Sequence, residues 1–101
     1  MNKFQITEQQ LAEAVNSRSS KTMYQYLSKA HVGIAGLGGL GSNVAAALAR
    51  CGVGSLTLAD FDTVELSNIN RQLYTLAHIG MPKTQALKEL LLQINPYCKI
   101  Y

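Results

Sequence analysis

The glycine-rich stretch GIAGLGGLGSN at residues 33–43 restricts the fold of this chain more than any other part of the sequence. Gly36, Gly38 and Gly41 follow the spacing G-x-G-x-x-G, and Gly39 adds a further position without a Cβ. An apolar run, HVGIAG, comes before the turn, and an alanine-rich run, VAAALAR, comes after it. Glycines at this spacing allow a tight turn and close packing of a helix on a buried strand. The stretch therefore predicts a strand–turn–helix unit.

Strands and helices alternate along the rest of the chain. The apolar run VGSLTLAD predicts a second strand, GMPKTQALKELLLQIN predicts a helix with Pro82 in its first turn, and YCKIY predicts the start of a third strand. This order predicts an α/β fold, a Rossmann-like doubly wound parallel sheet of which the chain holds the N-terminal βαβαβ half. Because parallel sheets are covered on both faces and built from several strands, we expect the chain to be part of a longer one.

Short helices are predicted ahead of the first strand. Thr7 and Gln10 form a capping-box pattern in TEQQLAEAV, and KTMYQYLSKA carries apolar residues at helical spacing. We therefore interpret residues 1–29 as a helical lead-in and residues 30–101 as the βαβαβ portion that carries the glycine turn.

Charge and cysteine content exclude several classes of function. Nine Lys and Arg against six Asp and Glu give a net charge of +3, but the basic residues are scattered, so we expect no nucleic-acid partner. The start lacks the apolar core of a signal peptide, and no run approaches the ~20 apolar residues of a membrane span. Cys51 and Cys98 form no C-x-x-C pair, which excludes a self-contained zinc site here and gives no sign of a disulfide framework. These patterns predict a cytoplasmic protein with no membrane partner.

The glycine turn has the chemistry of a phosphate site. Its backbone can approach a phosphate closely, and the N-terminus of the following helix offers unpaired N–H groups to an anion. Ser42 and Asn43 are candidates for further donors. Asp60, at the end of the second strand, is placed to bind ribose hydroxyls. The alternatives are that the glycines only form a tight turn and that Asp60 and Asp62 only make hydrogen bonds within their loop.

Two downstream cations favour a triphosphate over a redox dinucleotide. Arg71 lies in the polar segment SNINRQ, and Lys83 falls in the first turn of the next predicted helix. A lysine there is unfavourable for the helix dipole unless an anion binds at the same place. The alternatives are a solvated surface lysine and, for Arg71, an ion pair with Asp62 or Glu65.

These residues together resemble the ThiF/MoeB/HesA family of ATP-dependent activating enzymes for ubiquitin-like and sulfur-carrier proteins. The segments that carry the resemblance are GIAGLGGLGSNVAAALARCGVGSLTLADFDTVELSNINRQLY, IGMPKTQAL and INP. The match covers about residues 30–100, and the short helical lead-in is similar to ThiF-type sulfur carrier protein adenylyltransferases of thiamine biosynthesis.

The resemblance implies a role for each matching residue. The glycine turn would hold the nucleotide, Asp60 the ribose, and Arg71 and Lys83 would act on the phosphates during catalysis, with Asn68 as a further phosphate contact and Gln72 as support. The complete implied nucleotide-binding set is Gly36, Gly38, Gly39, Gly41, Asp60, Asp62, Asn68, Arg71, Gln72 and Lys83.

The implied reaction is ATP-dependent adenylation of the C-terminal Gly-Gly carboxylate of a ThiS-like, ubiquitin-like sulfur carrier protein, giving an acyl-adenylate and pyrophosphate. Because a carboxylate is already nucleophilic at neutral pH, catalysis would come from positioning and from cationic stabilisation. The resemblance also implies a homodimer and Mg²⁺, with the main magnesium-handling aspartate beyond Tyr101, no metal ligand among the matched residues, and zinc only in a C-terminal part. Arg18 is the one candidate for an arginine given to a partner's site.

Two other hypotheses stay open on the sequence. An NAD(P)-dependent oxidoreductase fragment would account for the glycine spacing and Asp60, but not for Arg71 and Lys83. A binding-only or inactive fragment of the same family would account for all of these residues, because a half-sheet with an exposed edge folds and catalyses poorly by itself.

Overall fold

The computed structural model describes residues 6–17 and 22–101 and shows helices alternating with parallel strands. Two helices, α1 and α2, come first, and a βαβαβ unit follows. The elements are α1 (Glu8–Ser17), α2 (Met23–Leu27), β1 (His31–Ala35), α3 (Gly39–Cys51), β2 (Ser55–Ala59), α4 (Lys83–Ile94) and β3 (Lys99–Ile100), with short 3₁₀ turns at Leu66–Asn68 and Leu76–His78.

The three strands form one parallel sheet in the order β1-β2-β3. Ile34 is paired with Leu58 in the first ladder, and Ser55 is paired with Lys99 in the second. Because each helix returns the chain to the same end of the next strand, the carboxyl ends of β1 and β2 meet at one edge. The predicted α/β class, the βαβαβ order of elements along the chain and the parallel sheet are confirmed.

Helices α3 and α4 pack on one face of this sheet. Leu56 of β2, Ala45 of α3 and Leu87 of α4 are fully buried in a common apolar cluster. Thr57 and Ala59 alternate with the buried residues of β2 and are exposed. The core therefore lies between β2 and the two long helices. Among the described residues, none of the helices has the length and apolar character needed to cross a bilayer.

The predicted helix ends are found where local chemistry places them. The Thr7 hydroxyl accepts the N–H of Gln10, and the Gln10 side chain accepts the N–H of Thr7, which confirms the capping box. Gly52 ends α3 in the left-handed region at φ 100°, a conformation that glycine adopts without a steric penalty. Pro82 is the residue before α4 rather than its first residue, so the helix begins at Lys83.

The start of α3 lies so close to the end of β1 that only glycine fits at one position. A Cβ on Gly41 would lie 1.8 Å from the carbonyl oxygen of Gly36. Helix and strand would have to separate to admit a methyl group. The third glycine of the motif is therefore required by packing, as its spacing predicts.

We predict that Gly41→Ala lowers the free energy of unfolding by about 3 kcal/mol, the upper end of overpacking costs. Gly33→Ala is the matched control, since a Cβ at Gly33 would meet no atom within 4 Å. Urea unfolding of both variants measures the difference. Equal stabilities of the two variants would contradict the close approach.

Candidate functional site

The glycine turn joins β1 to α3 and presents the N-terminus of the helix to solvent. Gly36 adopts a positive φ of 87° and donates its N–H to the carbonyl oxygen of Ala59, at 2.8 Å. Gly38 is the N-cap of α3 and has no side-chain cap in the described structure. The first N–H groups of an uncapped helix are available to an anion. The turn therefore leaves the N-terminus of α3 open, as the predicted anion site requires.

Asp60 is tied to the glycine turn through its carboxylate. One carboxylate oxygen accepts the N–H of Leu37 at 2.7 Å, and the other accepts the N–H of Asp62 at 2.7 Å. Partial burial acts to raise the pKa of Asp60, but these two hydrogen bonds and the charge of Lys83 hold it below its usual range. Each oxygen keeps a second lone pair for a hydroxyl donor. The carboxylate can thus fix the turn and bind a ligand at once.

Lys83 is buried, which excludes the interpretation of a solvated surface lysine. The residue is 6% exposed, although it begins α4. Its N–H donates to the carbonyl oxygen of Asp62 at 2.9 Å, and its ammonium lies 3.9 Å from the Asp62 carboxylate. That carboxylate is 76% exposed, so the attraction is weakened by solvent. A buried ammonium at the positive end of a helix is therefore only partly compensated by protein groups.

A polar cavity of about 350 Å³ opens beside Lys83. Its walls bring together residues from the loop after β2, from the 3₁₀ turn that follows and its N-cap, and from the start of α4. They are Phe61, Asp62, Thr63, Glu65, Asn68 and Lys83. The cavity carries carboxylate, hydroxyl and amide oxygens around one ammonium.

The segment that holds Asn68, Arg71 and Gln72 begins at the end of the 3₁₀ turn Leu66–Asn68 and lies against the glycine turn. The side-chain amide oxygen of Asn68 accepts the N–H of Glu65 at 2.8 Å. The backbone carbonyl oxygen of Asn68 accepts the N–H of Gln72 at 2.9 Å. Arg71 is exposed, and no ion pair of its guanidinium with Asp62 or Glu65 is found within the described ranges. The Arg71 carbonyl oxygen would lie 3.5 Å from a Cβ on Gly39. The backbone of Arg71 thus lies on the turn while its side chain reaches solvent.

Gln72 is buried between this segment and the glycine turn. It is 8% exposed, and its amide nitrogen would lie 3.7 Å from a Cβ on Gly38. Its amide oxygen is buried and has no hydrogen-bond partner among the described residues. The Gln72 side chain therefore lies in the interior with its amide beside the glycine turn.

Ser42 and Asn43, the candidates for further donors, each make a hydrogen bond within the fold. Ser42 is fully buried, and its hydroxyl accepts the N–H of Leu73 at 3.3 Å. The Asn43 side chain donates to the carbonyl oxygen of Gly39 at 2.6 Å. Ser42 faces the protein interior, whereas Asn43 is exposed and bonds back to the backbone of the first turn of α3.

Tyr74 is a site neighbour that the sequence analysis missed. Its hydroxyl donates to the carbonyl oxygen of Leu37 at 2.7 Å. No local pattern marks this tyrosine, because its partner lies 37 positions away. The His78 ring accepts the N–H of Thr75 at 3.0 Å.

Metal-ligating groups are sparse in this site. Within residues 6–17 and 22–101, no three His, Cys, Asp or Glu side chains are grouped to hold a metal ion. The exposed Asp62 carboxylate fits one oxygen ligand of the kind that Mg²⁺ takes together with phosphate oxygens.

Arg18, the candidate for an arginine given to a partner's site, lies outside the described residues.

Comparison with known proteins decides the family. The family description that matches residues 8–101 is that of the ThiF family. The chain belongs to the ThiF family. The resemblance inferred from the glycine turn and the SNINRQ segment is thereby confirmed.

Named relatives show how far the likeness extends. The chain is 49% identical over 75 residues to the molybdopterin-synthase adenylyltransferase of Escherichia coli (strain K12), covering 73% of this chain and 30% of that protein. It is 47% identical over 73 residues to ubiquitin-like modifier-activating enzyme 5 of Arabidopsis thaliana, covering 72% and 17%. The chain therefore spans less than a third of the length of these relatives.

A solved structure of similar fold contains ATP. The E. coli tRNA N6-threonylcarbamoyladenosine dehydratase, in complex with ATP, superimposes on 95% of this chain with a TM-score of 0.86 and 35% sequence identity. The match covers 41% of that protein. The ThiF family members with this fold thus include an ATP-binding enzyme.

We predict that Asp60→Asn destabilises the chain by about 1–2 kcal/mol, because an amide has one acceptor atom for two backbone donors. The pKa of Asp60 is lower in the folded chain. The contribution of the Asp60 carboxylate to the free energy of unfolding is therefore complete above the unfolded pKa of about 4. It is lost as the pH falls through the pKa of the folded state. Urea unfolding of both proteins across this range measures the effect. Glu89→Gln, an exposed change on α4, is the control, and a difference that persists at low pH would contradict the assignment.

We predict that Lys83→Met leaves the free energy of unfolding equal or higher in the absence of ligand, because a weakly compensated buried charge is removed. The same change should weaken ATP binding about 10- to 100-fold, the worth of a charge-assisted hydrogen bond. Calorimetric titration and urea unfolding give the two values. Lys88→Met, on the exposed side of α4, should change neither. A Lys83→Met protein that is less stable but binds ATP normally would contradict the assignment of Lys83 to the phosphates.

Proposed function

We propose that the protein adenylates the C-terminal Gly-Gly carboxylate of a ThiS-like, ubiquitin-like sulfur carrier protein with ATP, releasing pyrophosphate. The observation that carries the proposal is the buried Lys83 ammonium at the start of α4, whose nearest carboxylate is 3.9 Å away and exposed. A phosphate group in the adjoining cavity would offset both the ammonium and the helix dipole.

The arrangement of positive groups favours a triphosphate. The open N-terminus of α3 is one anion site, and Lys83 at the N-terminus of α4 is a second. Arg71 lies beside the first site with its guanidinium exposed and without an ion-pair partner in the described structure. A guanidinium clamps phosphate oxygens in a plane, while an ammonium acts as a point charge. A nicotinamide dinucleotide would leave these cations without a role, so we favour ATP as the nucleotide.

The reaction needs positioning more than proton transfer. An oxygen of the carrier carboxylate attacks the α-phosphorus of ATP, and the bond from that phosphorus to the pyrophosphate oxygen breaks. Arg71 and Lys83 are the groups proposed to stabilise charge on the phosphates as pyrophosphate departs. Asp60 would hold the ribose, and Asn68, Asp62 and Gln72 would complete the site. Mg²⁺, when bound, would neutralise phosphate charge beside Asp62.

The names of the relatives support a small carrier protein as the substrate. One relative is a molybdopterin-synthase adenylyltransferase and another is a ubiquitin-like modifier-activating enzyme. On the resemblance given by the sequence, the proposal extends to a ThiS-like carrier of thiamine biosynthesis, a homodimer and a cytoplasmic location.

A second candidate substrate is carried on tRNA. The solved structure with ATP is that of a tRNA N6-threonylcarbamoyladenosine dehydratase. The threonyl group of that nucleoside carries a carboxylate, so a carboxylate oxygen could attack the α-phosphorus of ATP in the same way. Exchange assays with the carrier protein or the tRNA separate the two candidates.

We predict that the protein catalyses ATP–pyrophosphate exchange when a carrier ending in Gly-Gly is added, and that Arg71→Ala reduces the rate about 10- to 100-fold. Radioactive pyrophosphate incorporated into ATP is the measurement. Arg50→Ala is the control, because Arg50 lies in the last turn of α3 at the opposite end of the helix. Exchange stimulated by tRNA alone would favour the second candidate. Binding of NADH without any binding of ATP would refute both.

A further inference from the structure

A short strap of residues, 71–74, covers the glycine turn and carries Arg71 at its start. Two backbone-to-hydroxyl contacts attach the strap. The Leu73 N–H donates to the Ser42 hydroxyl at 3.3 Å, and the Tyr74 hydroxyl donates to the carbonyl oxygen of Leu37 at 2.7 Å. Neither hydroxyl belongs to the proposed ATP-contacting set. Each contact joins a residue within three positions of Arg71 to a residue of the glycine turn or of the first turn of α3.

The Tyr74 hydroxyl is a buried hydrogen-bond donor. Tyr74 is 2% exposed. Burial, and secondarily the negative charge of Asp60, raise the pKa of the Tyr74 hydroxyl well above its usual range. The hydroxyl is therefore protonated at neutral pH and can donate its hydrogen bond to Leu37.

Leu37 is held on both sides of its backbone by distant side chains. Its N–H donates to Asp60, and its carbonyl oxygen accepts from Tyr74. Its own side chain is fully buried. The residue between the first two glycines of the motif is therefore fixed at three points, although the glycines on either side are intrinsically permissive. Without the tyrosine hydroxyl, the strap would keep the Leu73–Ser42 hydrogen bond but would lose its direct hydrogen bond to the glycine turn.

We propose that Tyr74, assisted by Ser42, is a positioning residue that fixes the Arg71 strap on the glycine turn in the conformation that binds the phosphates of ATP. This inference rests on the proposed function, because it assigns Arg71 to the phosphates. Tyr74 itself touches neither nucleotide nor carrier. Its effect reaches the ligand through the placement of Arg71.

A double-mutant cycle tests the coupling. ATP affinity is measured by calorimetric titration for the unaltered chain, Tyr74→Phe, Arg71→Ala and the double variant. We expect Tyr74→Phe to weaken binding about fivefold, the worth of one ordinary hydrogen bond. In the Arg71→Ala background the same change should have almost no effect, because the residue it positions is gone. Ser42→Ala should reproduce this coupling. An equal loss in both backgrounds, or no loss in either, would overturn the proposal.

A second readout separates this inference from the proposed function. Amide hydrogen exchange at Leu37 and Gly38 is compared between the unaltered chain and Tyr74→Phe without any nucleotide. Faster exchange confined to the turn supports the positioning role, and unchanged exchange overturns it. Tyr24→Phe is the matched control, because its hydroxyl donates to Glu8 away from the turn. If the unaltered chain binds no ATP, the proposed function fails, while the exchange result still decides whether Tyr74 holds the turn.

Discussion

The contact of Gly41 with the carbonyl oxygen of Gly36 is the constraint on which the rest of the site depends. It brings the first turn of α3 onto the end of β1 at a distance that no side chain would allow. Only then does the Leu37 N–H face the Asp60 carboxylate at the end of β2. The ladder between β1 and β2 and the start of α3 are thus fixed relative to each other by backbone geometry, before any ligand is considered.

The two helix N-termini at this edge of the sheet are treated differently by the protein. At α3 the fold provides glycines, whose open N–H groups cost little when solvated. At α4 it places a buried lysine where the helix dipole already carries positive charge. The first arrangement permits an anion, and the second favours one. The free energy of unfolding of a protein with such a site rises when the ligand binds and is lower when the site is empty.

Local patterns predicted the parts of the structure that depend on neighbouring residues. The capping box of Thr7, the glycine end of α3 at Gly52 and the placement of Lys83 in the first turn of α4 follow from spacing alone. The burial of Lys83 and the partners of Ser42 and Tyr74 were not predictable in this way. They depend on how segments distant in sequence pack together, and a single sequence carries no direct signal of such contacts. The phosphate and ribose roles of the site residues stay predictions.

The strap also has a consequence for how the chain folds. The Tyr74 and Leu73 contacts join residues that are 37 and 31 positions apart, and the segment between them contains most of α3 and all of β2. Such long loops close late in folding, because the chain loses conformational entropy on closing the loop before the contact stabilises it. Helices α3 and α4 can form on local signals while the strap is still open. An intermediate with native helix content would therefore lack an assembled nucleotide site, and the appearance of ATP affinity during refolding would report the completed topology rather than the secondary structure.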